Sequence, residues 1–335
     1  MQAAIYGLEG SELTADERAF FRDADPAGYI LFARNCADRS QLARLTDELR
    51  TIHGRADLPI LIDQEGGRVA RMKPPEWVAF PAGEAFDRLY RTAPSSAIEA
   101  ARANARALAL MLREVGVNVD CLPVLDVRQE GASDIVGDRA MGAEPMQVAA
   151  LGRAVLDGLA SAGVVGVVKH MPGHGRALVD SHKELPVVSA ALEELETDLE
   201  PFERLAWAPM GMVAHILFTQ WDAERPSSQS PIIIQEIIRG RIGFDGFLMT
   251  DDIGMEALSG TPGERAQRSL AAGCDAALHC SGKFDEMLDV ASRIGQLSAE
   301  GEARLVRAMA STFLDDDGPD FAEMVAKRDA LLALA

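Results

Sequence analysis

The residues of this sequence whose types could do chemistry are concentrated in one short segment. Three of the six histidines fall there, at His170, His174 and His182. Asp180 stands two residues before His182, so in an extended conformation both side chains lie on one face of the chain. A carboxylate beside an imidazole favours the charged ring and orients its tautomer. The pair therefore makes His182 a candidate proton donor, with Asp180 as its partner.

A second group of acidic residues follows an apolar segment later in the chain. Asp251 and Asp252 close GFLMTDD (246–252), where a carboxylate would be partly desolvated. Retaining glycosidases place a carboxylate nucleophile on one side of the sugar and a proton donor on the other. The proton donor is usually a second carboxylic acid, whereas this sequence offers the Asp180–His182 pair. We therefore expect an acid and a nucleophile of the glycosidase type.

The elements that must position these groups are short apolar segments alternating with helical ones. Strands are predicted at 3–8, 28–32, 59–63, 117–127, 164–170, 211–216, 246–252 and 275–280, and helices at 40–52, 96–115, 145–162, 190–206, 231–240, 263–272 and 284–296. Eight buried strands alternating with helices predict an α/β fold, a single (β/α)8 TIM-type barrel. The alternative is a doubly wound open sheet, but the sequence lacks the GxGxxG turn typical of it.

We expect the barrel to occupy residues 1–300 and a C-terminal helical extension to occupy 301–335, with an acidic turn, DDDGPD (315–320), between its helices. Active sites of such barrels lie at the carboxyl ends of the strands. The polar residues there follow five different strands, at Asp63, Asp126, Lys169–His170, His215 and Asp251–Asp252. The sequence therefore predicts one pocket to which these groups converge.

Composition narrows the classes of partner. The chain has 335 residues, with 33 basic and 52 acidic side chains and a formal net charge of -19. This acidity excludes broad binding of nucleic acid phosphates and docking on anionic membranes, and it favours a small-molecule ligand. Phe, Trp and Tyr make up only 5% of the residues, so we expect recognition by charged hydrogen bonds more than by stacking.

Cysteine usage and the absence of targeting signals indicate a compartment. The four cysteines, Cys36, Cys121, Cys274 and Cys280, show neither CxxC pairing nor zinc-finger spacing, which is typical of free thiols in a reducing environment. The first residues lack the basic region of a signal peptide, and no segment approaches about 18 uninterrupted apolar residues. We therefore expect a cytoplasmic protein without a membrane-spanning helix.

Four motifs occur in order along the chain: DQEGGRVAR (63–71), GDR (137–139), KHMPGHG (169–175) with DSH (180–182), and TDDIGM (250–255). Together they resemble the family 3 glycoside hydrolases, specifically the bacterial β-N-acetylglucosaminidases of cell-wall recycling. The resemblance spans roughly residues 3–300, and the loop that joins GHG to DSH is its most specific part.

The resemblance implies a role for each matching residue. Asp251 would be the nucleophile that forms a glycosyl-enzyme, and His182 with Asp180 would be the general acid and then the base. The hydroxyls of a non-reducing-end N-acetylglucosamine would be bound by Asp63, Arg71, Arg139, Lys169 and His170. The implied substrates are cytoplasmic muropeptides of the GlcNAc-anhydro-MurNAc type, and neither a cofactor nor a metal is expected.

Some positions depart from the family pattern, namely Met171, Ala140–Met141 and Gly254. These departures bear on loop packing and fine specificity, because none of them is a proposed catalytic group. The nearest alternative activities are a β-glucosidase and a general β-hexosaminidase of the same family. An alternative from another class is a metal-dependent barrel hydrolase with His170, His174, His182 and Asp251 as ligands. A third is a sugar-binding protein without turnover.

Overall fold

The computed structural model describes residues 1–313 and 318–335, and its centre is a closed barrel of parallel strands. The eight strands are β1 (Gln2–Gly7), β2 (Pro26–Leu31), β3 (Ile60–Ile62), β4 (Val119–Asp120), β5 (Val165–Met171), β6 (Met210–Val213), β7 (Phe247–Asp252) and β8 (Ala276–His279). They pair in chain order, and β8 pairs with β1 to close the barrel. The prediction of a (β/α)8 barrel is confirmed, and the closure excludes the open sheet.

Helices surround the barrel and connect its strands. They are α1 (Ala15–Ala24), α2 (Arg39–His53), α3 (Gly83–Thr92), α4 (Pro94–Glu114), α5 (Pro145–Ala160), α6 (Leu192–Arg204), α7 (Pro262–Ala272), α8 (Phe284–Arg293), α9 (Ala299–Met309) and α10 (Phe321–Leu332). The helix predicted at 231–240 is present as a π-helix over Ile233–Arg241. A two-residue parallel pairing of Val187–Val188 with Leu217–Phe218 joins the loops that follow β5 and β6.

Sequence reasoning placed most elements but missed two helices and overestimated one strand. The expected strand at 117–127 is regular only over Val119–Asp120. Helices α1 and α3 were not predicted, although Thr14 and Glu17 form a capping box at the start of α1, a pattern that is visible in the sequence. Because parallel barrel strands are buried on both faces, they read as continuous apolar runs, and this made the other strands easy to find.

Successive side chains along each strand belong alternately to two hydrophobic cores. One core fills the barrel interior and contains Ile5, Ile30, Leu61, Val119, Val165, Val167, Met210, Met212, Phe247, Met249, Ala276 and Leu278. The intervening residues of the same strands, such as Tyr6, Ile62 and Leu248, belong to the other core, which they share with the helices. This alternation follows from the two-residue period of a strand, and it determines which residues reach the mouth of the barrel.

The C-terminal helices complete the structure. Leu305, Ala308 and Met309 of α9 join the interior core, and α10 packs on α3 and α4. Helix α9 crosses residue 300, and the division of the chain at that residue stays a prediction. Residues 315–317 of the expected acidic turn lie outside the described residues. Within the described ranges, no helix is long and apolar enough to cross a membrane.

The seam between β1 and β8 supplies a test of barrel closure. A Cβ on Gly7 would lie 2.5 Å from the carbonyl oxygen of Cys280, which is too close for any side chain. We expect Gly7→Ala to lower the free energy of unfolding by about 1–3 kcal/mol, since neither backbone can yield without disturbing the pairing. Urea denaturation followed by circular dichroism measures this loss.

Gly10→Ala is the matched control, because a Cβ there meets no atom within 4 Å. Its free energy of unfolding should stay within about 0.5 kcal/mol of the parent. Equal stability of the two variants would contradict the close approach of β1 and β8 at Gly7.

Candidate active site

A cavity of about 240 Å³ lies at the carboxyl ends of the barrel strands. Its polar lining includes Asp63, Glu65, Arg68, Arg71, Arg139, Lys169, His170, His174, Ser181, His182, Asp251 and Asp252. The residues predicted for catalysis and sugar binding line this cavity except Asp180, which stands behind His182 and is hydrogen bonded to it. Asp126 and His215, also expected to face the pocket, are instead fully buried beside it, because Asp126 is hydrogen bonded to His170 and His215 to the carbonyl of Asp252. The structure therefore brings the predicted residues together.

The strand period explains how three of these residues reach the cavity. Leu61, Val167 and Met249 point into the barrel interior, and the residues two positions further are Asp63, Lys169 and Asp251. Since side chains at i and i+2 of a strand share a face, these three continue the inward-facing rows past the apolar core. The apolar floor of the cavity includes Met212 and Leu278 from the same interior core.

Lys169 is the centre of a buried group of charges. Its side chain is only 2% exposed, and its Nζ lies 2.9 Å from Oδ1 of Asp63 and 2.6 Å from Oε1 of Glu65. Arg139 donates to both oxygens of Glu65, through Nε and Nη2, each at 2.8 Å. Arg71 donates to Oδ2 of Asp63 at 3.0 Å. Two carboxylates thus connect three cations.

The protonation states of this charge group follow from its pairing. Burial alone would raise the pKa of each carboxyl, but Lys169 and Arg71 hold the pKa of Asp63 well below its usual range. Arg139 and Lys169 likewise lower the pKa of Glu65 to about 2. Burial works against the charge of Lys169, yet Asp63 and Glu65 raise its pKa above the usual value. All members are therefore charged at neutral pH.

His170 is oriented by the fully buried Asp126. The Nδ1 of His170 lies 2.6 Å from Oδ2 of Asp126, whose Oδ1 accepts the backbone N–H groups of His170 and His174. A carboxylate can only accept, so Nδ1 carries the proton and Nε2 faces the Nη2 of Arg139 at 3.4 Å. Burial opposes ionisation of Asp126, but His170 holds its pKa below the usual range.

The loop after β5 carries the predicted acid. Nδ1 of His182 lies 2.8 Å from Oδ1 of Asp180, and the backbone N–H of His182 donates to the same oxygen at 2.9 Å. The His182 side chain is 58% exposed, at the edge of the cavity. Burial would raise the pKa of Asp180, but its hydrogen bonds with His182 lower it. Asp180 is therefore a carboxylate that fixes the His182 tautomer, with Nε2 left for a ligand.

Two contacts of Ser181 hold the DSH segment (180–182) in place. The Oγ of Ser181 lies 3.4 Å from Nε2 of the buried His174, and the carbonyl of Ser181 accepts the N–H of Ala257 at 3.2 Å. Burial lowers the pKa of His174 to about 4, so its ring is neutral at pH 7. Ser181 thus connects the DSH segment (180–182) to the start of its own loop and to the segment after β7.

The adjacent acids at the end of β7 have different surroundings. Oδ1 of Asp251 accepts only the N–H of the next residue, at 2.8 Å, among the hydrogen bonds of the described residues. The Asp252 carboxylate is held by the backbone, since its Oδ1 accepts the N–H groups of Gly254 and Cys280. Burial would raise the pKa of Asp251, but His170 and the N–H of Asp252 lower it. Asp251 is therefore the ionised acid available to a ligand.

Glu65 is the site residue that sequence reasoning missed. It lies two residues after Asp63 within DQEGG, so its position in the motif was the only signal for it. Gly66 and Gly67, with φ of +99° and +56°, turn the chain immediately after it. Phe32 is the only Phe, Tyr or Trp that lines the cavity in the described chain, and the Arg71 guanidinium lies 5.0 Å from the centre of its ring.

The metal-ligand set considered from the sequence is not assembled. Among residues 1–313 and 318–335, no three His, Cys, Asp or Glu side chains come together in a way that could hold a metal ion. His170 is instead committed to Asp126, and His182 to Asp180. The arrangement has the chemistry of an acid–base pair and a separate carboxylate around a cavity rich in hydrogen-bond donors.

Comparison with known proteins gives a consistent result. Residues 4–310 match the family described as the glycosyl hydrolase family 3 N terminal domain. The chain is 38% identical to a β-hexosaminidase of Bordetella avium over 279 residues, covering 82% of this chain and 79% of that protein. It is 36% identical to a β-hexosaminidase of Methylococcus capsulatus over 334 residues, covering 98% of this chain and 94% of that protein.

A solved structure is similar over the whole chain. It is NagZ from Neisseria gonorrhoeae in complex with N-trifluoroacetyl-D-glucosamine, with a TM-score of 0.88 and 30% identity. The match covers 100% of this chain and 98% of that one. Barrel and C-terminal helices are therefore shared with that protein.

The buried charge group predicts a specific response to acid. Glu65→Gln should lower the free energy of unfolding at pH 7 by about 3 kcal/mol, because it leaves the buried Arg139 without a carboxylate partner and Lys169 with Asp63 alone. The folded pKa of Glu65, about 2, lies below the unfolded value of about 4.3. Its contribution is thus complete above about pH 5 and is lost as the pH falls toward 2.

Urea denaturation of the parent and of Glu65→Gln between pH 7 and pH 2.5 measures this effect. The stability difference between the two proteins should shrink as the pH falls below about 5. Glu130→Gln, which changes an exposed glutamate in a loop, is the matched control and should show almost no difference at any pH. A constant difference between parent and Glu65→Gln would contradict the assignment of an ionised, paired Glu65.

Proposed function

The chain belongs to the family 3 glycosyl hydrolases and is therefore an enzyme that cleaves glycosidic bonds, and from this premise we propose that it is a retaining exo-glycosidase. It releases terminal β-linked N-acetylglucosamine from the non-reducing end of its substrate. The observation that carries the proposal is that Asp251, the Asp180–His182 pair and the donor-rich charge group meet at one small cavity.

Asp251 is proposed as the nucleophile. A nucleophilic carboxylate must be ionised, and the lowered pKa of Asp251 satisfies this requirement despite its burial. In the first step, one of its oxygens forms a bond to the anomeric carbon while the bond from that carbon to the leaving oxygen breaks. The N–H of Asp252 holds the Asp251 carboxylate in place during this attack.

His182 is proposed as the proton donor of the first step and the base of the second. The protonated ring gives its Nε2 proton to the leaving oxygen, and Asp180 balances the positive charge of the ring through Nδ1. A water molecule then attacks the anomeric carbon, His182 takes one of its protons, and the bond to Asp251 breaks. Two displacements at one carbon retain the β configuration.

The charge group is proposed to bind the sugar. Asp63, Arg71, Arg139, Lys169 and His170 line the cavity and hold charged or oriented hydrogen-bonding groups there. Such groups are strong and directional toward hydroxyls in a site that excludes water. Because these groups are already held by one another, little ordering of side chains is needed when sugar binds. A cavity of about 240 Å³ whose floor is the apolar barrel core favours a single terminal sugar over the middle of a long chain.

We further propose cytoplasmic muropeptides of the GlcNAc-anhydro-MurNAc type as the natural substrates. This follows from the motif resemblance, with support from the similarity to curated β-hexosaminidases and to NagZ. The nearest alternatives are a β-glucosidase and a general β-hexosaminidase. Comparing kcat/KM on aryl β-glucoside, β-N-acetylgalactosaminide and β-N-acetylglucosaminide separates the three, and the proposal requires a clear preference for the last.

Substitution of the proposed catalytic residues gives the direct test of the mechanism. Asp251→Asn should reduce kcat on an aryl β-N-acetylglucosaminide by more than about 10³-fold, because no glycosyl-enzyme can form. His182→Ala should reduce kcat by about 10²–10⁴-fold on a substrate whose leaving group needs a proton. With dinitrophenolate as leaving group the loss should be much smaller in kcat/KM, which reports the first step alone, since this anion departs without protonation.

Lys183→Ala is the control for both substitutions, because this exposed neighbour on the same loop is not part of the cavity lining. Its kcat should equal that of the parent. Near-parent turnover by Asp251→Asn, or an equal loss with both kinds of leaving group for His182→Ala, would contradict the assigned roles.

A further inference from the structure

We propose that His215, itself held by Ser228, is a positioning residue that fixes the direction of the Asp251 carboxylate through the main chain of Asp252. The inference rests on the proposed function, because it takes Asp251 as the nucleophile. None of the motifs that identify the site contains His215 or Ser228. Both come from segments that by sequence look like a buried strand and an ordinary serine-rich loop, RPSSQSP (225–231).

His215 is completely buried directly after β6, next to β7, and both of its ring nitrogens have partners. Nε2 lies 3.0 Å from the carbonyl oxygen of Asp252, and Nδ1 lies 2.7 Å from the Oγ of Ser228. Ser228 is also fully buried. A buried polar ring with two good hydrogen bonds has one orientation, because each alternative leaves a polar atom unpaired.

The partners determine the tautomer. A carbonyl oxygen can only accept, so Nε2 of His215 donates to the carbonyl of Asp252. In the neutral ring Nδ1 is then an acceptor, and the hydroxyl of Ser228 donates to it. Burial lowers the pKa of His215, which keeps the ring neutral at pH 7. His215 therefore orients its neighbours through hydrogen bonds and does not act on them through a positive charge.

His215 is linked to Asp251 through the main chain of one residue, Asp252. The carbonyl of Asp252 accepts from His215, while the N–H of Asp252 donates to Oδ1 of Asp251 at 2.8 Å. The side chain of Asp252 is held separately by the N–H groups of Gly254 and Cys280. Asp252 is thus fixed at its carbonyl and its carboxylate, and the remaining N–H sets the rotamer of Asp251.

The hydrogen bonds of His215 give it a role in the reaction as well as in packing. A nucleophile displaced by about 1 Å from its line of attack can lose about 10²-fold in rate, even when the sugar binds normally. Removing the donor at His215 should therefore slow the attack of Asp251 on the anomeric carbon. Binding of the sugar depends on Asp63, Arg71, Arg139, Lys169 and His170, none of which hydrogen bonds to His215 within the described residues.

The test measures the attack step itself. An activated 5-fluoro-N-acetylglucosaminyl fluoride forms a glycosyl-enzyme without help from a proton donor, so its trapping rate constant reports the nucleophile. We expect His215→Leu to reduce this rate constant by about 10–100-fold and to leave the inhibition constant of N-acetylglucosamine within about 3-fold. His215→Gln, whose Nε2 can replace the imidazole donor, should recover most of the trapping rate.

A second pair of variants covers the case in which His215→Leu fails to fold. Ser228→Ala removes the group that orients the ring and should slow trapping with an unchanged inhibition constant. Ser230→Ala is its matched control, because this serine is buried in the same segment but bonds to Asp222 and the start of the π-helix. Thermal unfolding of both variants reports the loss of stability that each hydroxyl causes.

The outcomes separate this inference from the proposed function. A parent enzyme that neither hydrolyses an N-acetylglucosaminide nor is trapped would overturn the proposed function. A parent that is trapped, together with a His215→Leu variant trapped equally fast, would overturn the role of His215 alone. The same holds if Ser228→Ala and Ser230→Ala slow trapping equally, or if trapping and sugar binding weaken together.

Discussion

The structure of the site depends on the burial of one ammonium group at the mouth of the barrel. Lys169 extends from the barrel interior with a side chain that is almost completely enclosed, and a charge in that position is costly unless it is paired. Asp63 and Glu65 provide the pairing, and each carboxylate in turn holds an arginine, Arg71 or Arg139. The cost of burying Lys169 thus fixes the placement of four other side chains before any ligand arrives.

This charge group also explains how an acidic chain can hold cations beside its cavity. Three cations share two carboxylates, so the group keeps a net positive charge and unused N–H donors beside the cavity. Asp251, the proposed nucleophile, stands at the end of another strand, where His170 and the N–H of Asp252 lower its pKa. His182, the proposed proton donor, is on a loop at the exposed edge, where a leaving group can depart. The groups proposed for sugar binding, nucleophilic attack and proton donation therefore come from separate parts of one barrel end.

Part of this arrangement could be predicted because it follows the strand period. The apolar runs indicated eight strands, and Asp63, Lys169 and Asp251 continue inward-facing rows, so their convergence required only the barrel. Glu65 could not be found in this way, since it lies in a turn whose course depends on Gly66 and Gly67. Residues 233–241 form a π-helix, and no apolar pattern in the sequence distinguishes this from an α-helix. His215 was expected to face the pocket, but its ring is buried and its meaning depends on a contact with Asp252 that is distant in sequence.

The central claim is that Asp251 forms a covalent bond with the sugar, and mass spectrometry of the trapped enzyme tests it most directly. After reaction with the fluorosugar, the intact protein should gain the mass of one glycosyl group. Peptide mapping should place that mass on Asp251. A glycosyl group on Asp252 or on any other residue, or turnover without any trapped species, would contradict the account.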